Sequence, residues 1–253
     1  MTSHTVVATA NVNRALGRSD ARAALADLLR HEPDLVGLQE WNLTRFPLLR
    51  ETGSVGVVPD VRLRLGRSSG YVWSAPLVGG VPVGARADRF ELLASRVRLL
   101  SRLGRADRPD HPWGSEAPRL ATIGIYRDRT VDRTVCLVNY HLVPGVQALG
   151  RYRDDRPLAV ARHQREVAAV QRIVDEQLDQ GRVVYAVGDA NFDGLRLNGL
   201  TSAWEGRDGD PGTLGPRRKI DDVHGPGPAS SVTVLTSRSD HKAVIVGRED
   251  APQ

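Results

Sequence analysis

Residues 182–191 read Arg-Val-Val-Tyr-Ala-Val-Gly-Asp-Ala-Asn, an apolar run that ends in two polar side chains, Asp189 and Asn191. Valine and tyrosine favour strands, and a short apolar run that stops at a glycine is typical of a buried strand. Two other segments repeat the pattern: residues 5–10 precede Asn11, and residues 34–38 precede Gln39 and Glu40. The sequence therefore predicts buried strands whose ends carry polar groups.

The rest of the chain alternates between strand and helix patterns. Residues 120–126 and 131–140 are two β-branched runs joined by a hairpin-like polar turn, and the second run leads to His141. Alanines and leucines at helical spacing predict a helix with Ser19 or Asp20 as N-cap. A longer amphipathic helix is expected over residues 158–178, strands at residues 89–93, 219–223, 231–235 and 242–246, and a surface loop at residues 104–118.

Length and charge set the broad class. A chain of 253 residues is predicted to form one domain, 1–253, because sandwich and α/β domains commonly reach this size. The net charge of +5 favours an anionic partner such as nucleic acid, nucleotides or an anionic membrane surface. Of the 35 basic residues, however, only Lys219 and Lys242 are lysines, and so strong an arginine bias can also reflect coding preference. Charge alone therefore does not choose the partner.

Cysteine content and hydropathy predict the compartment. Cys136 is the only cysteine, so no intramolecular disulfide can form, which fits a reducing cytosol. Residues 1–5 lack the basic start and apolar run of a signal peptide, and no apolar stretch approaches the roughly 20 residues that span a bilayer. We expect a cytoplasmic protein without a transmembrane segment.

Polar residues recur where apolar strands stop, and strand ends from one side of a protein can converge. The cluster predicted in this way contains carboxylates, amides and imidazoles but no thiolate. Such ligands suit a hard ion, Mg²⁺ or Mn²⁺, and the natural substrate for that chemistry is a phosphate ester. The residues are Asn11, Glu40, His141, Asp189, Asn191, Asp221 or Asp222, Asp240 and His241.

The order of these motifs resembles the endonuclease/exonuclease/phosphatase superfamily, which includes class II abasic-site endonucleases, pancreatic-type (DNase I-like) deoxyribonucleases, sphingomyelinases and inositol polyphosphate phosphatases. The resemblance spans nearly the whole chain. It implies an α/β (α+β) fold: a four-layer αββα sandwich of two mainly antiparallel sheets flanked by helices, with the site at one end. The matching segments are Asn11-Val12-Asn13, Leu38-Gln39-Glu40, Asn139-Tyr140-His141-Leu142, Gly188-Asp189-Ala190-Asn191, Lys219-Ile220-Asp221 and Ser239-Asp240-His241.

The resemblance also implies which residues bind metal and activate water. Glu40 would be the principal metal ligand, with Asn11 nearby, Asp240 binding directly or through water, and Asn13 a further candidate. Asp189 would orient or deprotonate the attacking water.

The remaining implied roles concern the phosphate. Asn191 would hold the attacking water and a phosphate oxygen. His241, polarised by Asp221, would contact the phosphoryl group or take the proton, and His141 would donate to a phosphate oxygen.

Several assignments stay open at this point. Asp222 is an alternative partner for His241 because it directly follows Asp221. Arg119 and the run Arg217-Arg218-Lys219 could grip phosphate or lie on a solvated face, and Trp41 could line the cleft or pack in the core. The histidines that match no motif are interpreted as surface or loop residues outside the site; these are His31, His111, His163 and His224.

Three functions are compatible with the sequence. The first is a nuclease that cuts phosphodiester bonds, most simply in DNA, because positive charge favours a polyanion. The second is a phosphatase or phosphodiesterase for a small molecule or a lipid headgroup. The third is a non-catalytic binding module on the same fold, which should have lost acids such as Glu40, Asp189 and Asp240 that are present here.

Overall fold

Two β-sheets packed face to face form the centre of the computed structural model, which describes residues 4–58, 64–66, 69–105, 107 and 114–249. The helices are α1 (Arg18–Leu29), α2 (Phe46–Thr52) and α3 (Pro157–Leu178), and a short 3-10 helix, Leu43–Arg45, precedes α2. The strands are β1 (His4–Asn11), β2 (Leu35–Gln39), β3 (Gly53–Val58), β4 (Arg64–Gly66), β5 (Tyr71–Pro76), β6 (Val83–Arg86), β7 (Phe90–Ser101), β8 (Gly104–Arg105), β9 (Ser115–Glu116), β10 (Arg119–Asp128), β11 (Arg133–His141), β12 (Gln147–Ala148), β13 (Arg151–Tyr152), β14 (Val183–Asp189), β15 (Thr201–Ser202), β16 (Asp221–Gly225), β17 (Ala229–Leu235) and β18 (Ala243–Glu249).

The larger sheet has the strand order β17-β18-β1-β2-β6-β5-β3-β4, and the smaller one has the order β15-β16-β14-β11-β10-β7. Most neighbours in both sheets are antiparallel. The parallel pairs are β1 with β2, β3 with β5 and β11 with β14. The short pairs β8–β9 and β12–β13 form separate two-stranded ribbons.

Apolar cores hold four layers together. Leu25 and Leu28 of α1 pack with α2 on the outer face of the larger sheet. Tyr126 and Tyr185 belong to the core between the two sheets. Val170 lies in the core that joins α3 to the outer face of the smaller sheet. The predicted αββα sandwich of two mainly antiparallel sheets is therefore confirmed.

Strand direction brings the polar strand ends together. β1 and β2 run in parallel with Asn11 opposite Gln39, so Asn11 and Glu40 lie at the same edge. In the other sheet His141 pairs with Asp189 in the parallel β11–β14 register, and Asp189 pairs with Asp221 at the start of β16. Because the sheets stack face to face, both edges meet at one end of the sandwich.

Local details differ from the predictions at two element starts. Helix α1 begins at Arg18 with Gly17 as N-cap and no side-chain cap, so the predicted N-cap at Ser19 or Asp20 is wrong. The strand predicted from residue 219 begins at Asp221 instead. The two amides before Asp221 donate to side chains, one to Asp193 and the next to Thr213, and therefore do not join the ladder.

Two further predictions concern surface regions and hydropathy. The loop predicted at residues 104–118 lies partly outside the described residues, and His111 lies wholly outside them. In the described part of this segment, Gly104–Arg105 pairs with Ser115–Glu116. Among the described helices, none combines the length and the apolar character needed to cross a membrane.

Candidate active site

Asn11 lies at the centre of the converged strand ends. Its side chain is buried, with 2% of the residue exposed. The amide nitrogen Nδ2 donates to Asp189 Oδ2 at 3.0 Å and to Glu40 Oε1 at 3.4 Å. The carbonyl oxygen Oδ1 is also buried and has no hydrogen-bond donor among the described residues. A buried acceptor without a donor, beside two carboxylates, is a suitable ligand for a cation.

Glu40 and Asn191 both have left-handed backbones, with φ of +57° and +50°. This conformation is unfavourable for residues other than glycine and is found disproportionately at functional sites. Glu40 Oε2 accepts from the amide of Arg14 at 2.9 Å. The amide of Asn191 donates to Asp189 Oδ1 at 2.8 Å, and its side-chain Nδ2 donates to Leu142 O at 3.0 Å. Hydrogen bonds therefore hold both turns in place.

Asp221, and not Asp222, contacts His241. The distance from His241 Nδ1 to Asp221 Oδ2 is 2.9 Å, and Asp221 Oδ1 is buried without a donor among the described residues. Asp222 points the other way, because neighbouring side chains on a strand face opposite sides of the sheet. Its carboxylate accepts from Ser202 Oγ and from the amide of Ala203.

The acids around His241 control its charge. Burial lowers the pKa of His241, but the hydrogen bond and charge of Asp221, together with the charges of Asp189 and Asp240, outweigh burial and raise the pKa to about 9. Burial and the neighbouring charge of Asp221 raise the pKa of Asp189 above its ordinary value, against the opposing effects of His241 and Asn11. An imidazolium at His241 therefore offsets the repulsion between the two aspartates.

His141 completes the ring of groups around Asp189. Its Nε2 lies 3.5 Å from Asp189 Oδ2. Burial and the positive charges of Arg119, His241 and Arg14 hold the pKa of His141 well below its ordinary value. A neutral imidazole retains one N–H, which can donate a hydrogen bond to a substrate oxygen.

Two sets of side chains could hold a metal. The predicted set is only partly in contact: Asn11 reaches Glu40, whereas Asp240 accepts from Asn13 Nδ2 at 2.9 Å. A second group, Asp189, Asp221 and His241, has ligand atoms within 4.8 Å of one another. Each set contains one buried oxygen without a donor among the described residues, Asn11 Oδ1 in the first and Asp221 Oδ1 in the second. In the second group, however, His241 Nδ1 already bonds to Asp221, whereas the predicted set offers oxygen atoms alone, which Mg²⁺ prefers. The donor chemistry therefore favours the predicted set.

Arg119 begins β10, at the end of the smaller sheet where the neighbouring β11 ends in His141. Its side chain is mostly buried, and its Nε has no hydrogen-bond partner within the described part of the chain. Its guanidinium lies 3.8 Å from the carboxylate of Glu116, and its charge contributes to the low pKa of His141. The basic run 217–219 behaves differently, because its two arginines are exposed and Lys219 Nζ donates to the carbonyl of Arg207. Of these basic residues, Arg119 is therefore the one that lies at the same end of the smaller sheet as His141.

Two of the histidines interpreted as surface or loop residues, His163 and His224, are fully buried, so that interpretation is wrong for them. His163 of α3 donates from Nε2 to Ala190 O at 2.7 Å and accepts at Nδ1 from the Tyr152 hydroxyl at 3.0 Å. It therefore supports the turn at the end of β14. The sequence did contain a signal for this burial, because the helical spacing places His163 on the same face of α3 as Ala159 and other apolar residues.

Two other interpretations concern residues outside the cluster. Trp41 packs in the core beneath α1 and does not line a cleft. His31 is exposed, as predicted.

Comparison with known proteins identifies the fold. Neither a protein-family model nor a curated protein sequence matches the chain. Solved structures do match over nearly the full length. The chain is similar to D. rerio TDP2 complexed with single-strand DNA product, with a TM-score of 0.65 and 14% identity, covering 97% of this chain and 98% of that one.

Two bacterial structures match in the same way. An endonuclease/exonuclease/phosphatase family protein from Bacteroides thetaiotaomicron has a TM-score of 0.61 and 18% identity, covering 98% of this chain and 95% of that one. A mannosyl-6-phosphatase from Bacteroides thetaiotaomicron has a TM-score of 0.62 and 19% identity, covering 96% of this chain and 98% of that one. The chain therefore has the fold of the endonuclease/exonuclease/phosphatase superfamily, as its motifs indicate.

Proposed function

We propose that the protein is a divalent-metal-dependent phosphoesterase. The observation that carries the proposal is the environment of Asp189: its Oδ2 lies 3.0 Å from Asn11 Nδ2, 3.5 Å from His141 Nε2 and 3.8 Å from His241 Nδ1. A buried carboxylate among an amide and two imidazoles can position water and direct donors at an anionic substrate.

Glu40, Asn11 and Asp240 would hold Mg²⁺ or Mn²⁺. The chemistry of the donors supports this, since all three offer oxygen and Asn11 Oδ1 is buried without a donor among the described residues. When bound, the ion would neutralise the negative charge that grows on the phosphoryl oxygens.

The protein's own groups then divide the remaining work. Asp189 orients the attacking water and accepts its proton, and Asn191 holds that water and a phosphate oxygen. His141, neutral because burial and nearby cations lower its pKa, donates to a phosphate oxygen. His241, paired with Asp221, contacts the phosphoryl group as a cation. These donors act best in a site from which water is largely excluded.

Nucleic acid is the substrate we favour. The protein carries a net charge of +5, and Arg119 is a mostly buried arginine at the end of the smaller sheet where β11 ends in His141. Guanidinium groups bind phosphate oxygens in a bidentate manner, and excess positive charge attracts polyanions. The similar TDP2 structure holds a single-strand DNA product. The cytoplasmic location remains a prediction from the single cysteine, which cannot form an intramolecular disulfide.

A lipid headgroup is the second candidate, because large apolar side chains are exposed near the site. Leu43 closely follows Glu40 in the chain. Leu77 and Val78 lie in the β5–β6 connection, where the carbonyl of Gly80 accepts from the Trp41 amide. Leu149 lies in the turn between β12 and β13, and β12 contacts the segment that follows Asn191. Exposed apolar groups beside a catalytic site suit an amphiphilic substrate. Their exposed fractions are 51% for Leu43, 53% for Leu77, 67% for Val78 and 103% for Leu149.

A substrate panel tests the proposal. Purified protein would be incubated with supercoiled plasmid, an abasic-site oligonucleotide, single-stranded DNA, RNA, anionic phospholipid vesicles and bis-p-nitrophenyl phosphate, in Mg²⁺, Mn²⁺ or EDTA. The variants are Asp189→Ala and, as a control, Glu91→Ala. Glu91 is an exposed acid of β7. It lies opposite Arg127 in the register of β7 and β10, at the end of the sheet away from the site.

The outcomes separate the candidate functions. Nucleic-acid cutting that is lost in EDTA and in Asp189→Ala, but kept in Glu91→Ala, would support the metal nuclease. Hydrolysis of the vesicles alone would favour the lipid hypothesis. No hydrolysis of any substrate would favour the binding module.

A further inference from the structure

Arg45 carries a buried positive charge behind the proposed metal site. It ends the short 3-10 helix after β2, and only 2% of the residue is exposed. Its guanidinium donates to main-chain carbonyls that belong to two different loops. The acceptors are Val12 O at 2.5 Å, Asn13 O at 2.8 Å, Leu16 O at 2.9 Å and Glu40 O at 3.3 Å.

A guanidinium in this setting is unusual. Buried charges are normally paired with an opposite charge, because removing an ion from water is costly. Burial lowers the pKa of Arg45, and the charge of Glu40 opposes this. Within the described part of the chain, however, the hydrogen bonds of the side chain go to carbonyls rather than to a carboxylate. The guanidinium, which has donors on more than one nitrogen, therefore connects the loop after β1 to the backbone of Glu40.

One of the joined segments contains the proposed ligand Glu40, and the other adjoins Asn11 and contacts Asp240. The loop after β1 contains Asn13, whose side chain holds Asp240, and it directly follows Asn11. The other segment is Glu40 itself, whose left-handed φ of +57° requires support from its surroundings. Arg45 binds the carbonyl of Glu40, and the amide of Arg14 binds its carboxylate.

We propose that Arg45 is a positioning residue for the metal site: its guanidinium sets the distance between the loop after β1 and Glu40, and so preorganises the ligands for a divalent cation. The proposal rests on the proposed metal site. Groups that orient metal ligands without touching the metal typically change metal affinity by about 10- to 100-fold when they are replaced.

Metal binding by the apoprotein tests the proposal without reference to activity. The Kd for Mn²⁺ would be measured by isothermal titration and by electron paramagnetic resonance for the wild type, Arg45→Lys and Arg45→Met, well below each melting temperature. A lysine keeps the charge but cannot bridge the separated carbonyls, because its donors sit on one nitrogen. We expect a Kd about 10- to 100-fold weaker in both variants.

Arg248→Lys is the matched control. Arg248 is also fully buried and donates to main-chain carbonyls, those of Gly227, Thr201 and Val223, but it lies away from Glu40 and the loop after β1. Its replacement should lower the melting temperature and leave the Mn²⁺ Kd within about threefold of the wild type.

The outcomes separate the two proposals. If the wild type binds Mn²⁺ and folded Arg45→Lys binds it equally well, or if Arg248→Lys weakens binding as much as Arg45→Lys does, the role of Arg45 is overturned while the metal site stands. If the wild type binds neither Mn²⁺ nor Mg²⁺, the metal site itself is wrong and the role of Arg45 falls with it.

Discussion

Replacing Asp221 by asparagine removes a charge from the pair with His241 while keeping nearly the same shape. The hydrogen bond between His241 Nδ1 and Asp221 Oδ2 is 2.9 Å long and buried. A hydrogen bond to a charged group contributes about 1.5–3 kcal/mol, which corresponds to roughly a 10- to 150-fold change in rate if the imidazolium forms or acts in the transition state. We therefore expect Asp221→Asn to lower kcat/KM by that factor.

The assay is hydrolysis of bis-p-nitrophenyl phosphate in Mg²⁺, with Asp222→Asn as the control. Asp222 accepts from Ser202 and from backbone amides on the other face of β16, so its replacement should destabilise the protein more than it slows the reaction. We expect kcat/KM of folded Asp222→Asn to stay within about threefold of the wild type. Equal losses in the two variants, or a larger loss in Asp222→Asn, would refute the assignment of Asp221 as the partner of His241.

The same variant has a readout that needs no metal. The pKa of His241 is raised to about 9 in the folded protein, so protonation of His241 stabilises the folded state. This stabilisation is complete below the unfolded pKa, near 6.5, and is lost as the pH rises through about 9. In Asp221→Asn the His241 resonance in an NMR titration of the metal-free protein should titrate at lower pH. The loss of unfolding free energy between about pH 6 and pH 10 should also be smaller. An unchanged His241 titration would contradict the pairing.

Three further predictions follow from single contacts. Glu40→Ala should keep the fold but weaken Mn²⁺ binding and activity, because the carboxylate held by the Arg14 amide would be gone; full activity at low metal concentration would overturn the ligand assignment. Arg119→Met should raise KM for nucleic acid and reduce the salt dependence of binding, whereas an unchanged KM would mean that the guanidinium does not meet phosphate. Asp128→Asn should lower the unfolding free energy at pH 7 by about 3–5 kcal/mol, because Asp128 is buried against Arg89. Burial raises the pKa of Asp128, but hydrogen bonds from Arg89 and Thr130 outweigh burial, so the pKa is lowered overall. The ionised carboxylate therefore stabilises the folded protein above the unfolded pKa, near 3.9, and this stabilisation is lost as the pH falls through the folded pKa. The difference from wild type in urea unfolding should therefore shrink at acid pH, and a constant difference would contradict this account.

Local patterns predicted most of the elements. The apolar runs before Asn11, Glu40 and Asp189 became β1, β2 and β14, because β-branched residues between polar ends carry both the strand signal and its boundary. Helix α3 matches the long amphipathic segment, which was predicted from Leu158 and begins at Pro157. The start of α1 was less predictable, because Gly17 offers no side-chain signal and two better capping residues follow it.

The choice between Asp221 and Asp222 depends on tertiary packing. Both are acids on one strand and are equally good partners for a histidine by type. They face opposite sides of the sheet, and only the packing of β16 beside β14 and the position of His241 decide which one turns to the site. The burial of His163 and Arg45 also depends on tertiary packing. A polar residue in a helix or a turn is normally exposed, but here the tertiary structure buries both.

The sequence by itself determined most of the strands and the order of the polar strand ends, and it predicts the kind of chemistry proposed for them. These follow from side-chain type and spacing within short segments. The tertiary structure decided which side chains meet: that Asn11 lies between Glu40 and Asp189, that Asp221 rather than Asp222 binds His241, and that Arg45 joins the two loops. Such contacts join residues far apart in the chain, and their geometry depends on strand pairing and sheet packing, which no local pattern contains.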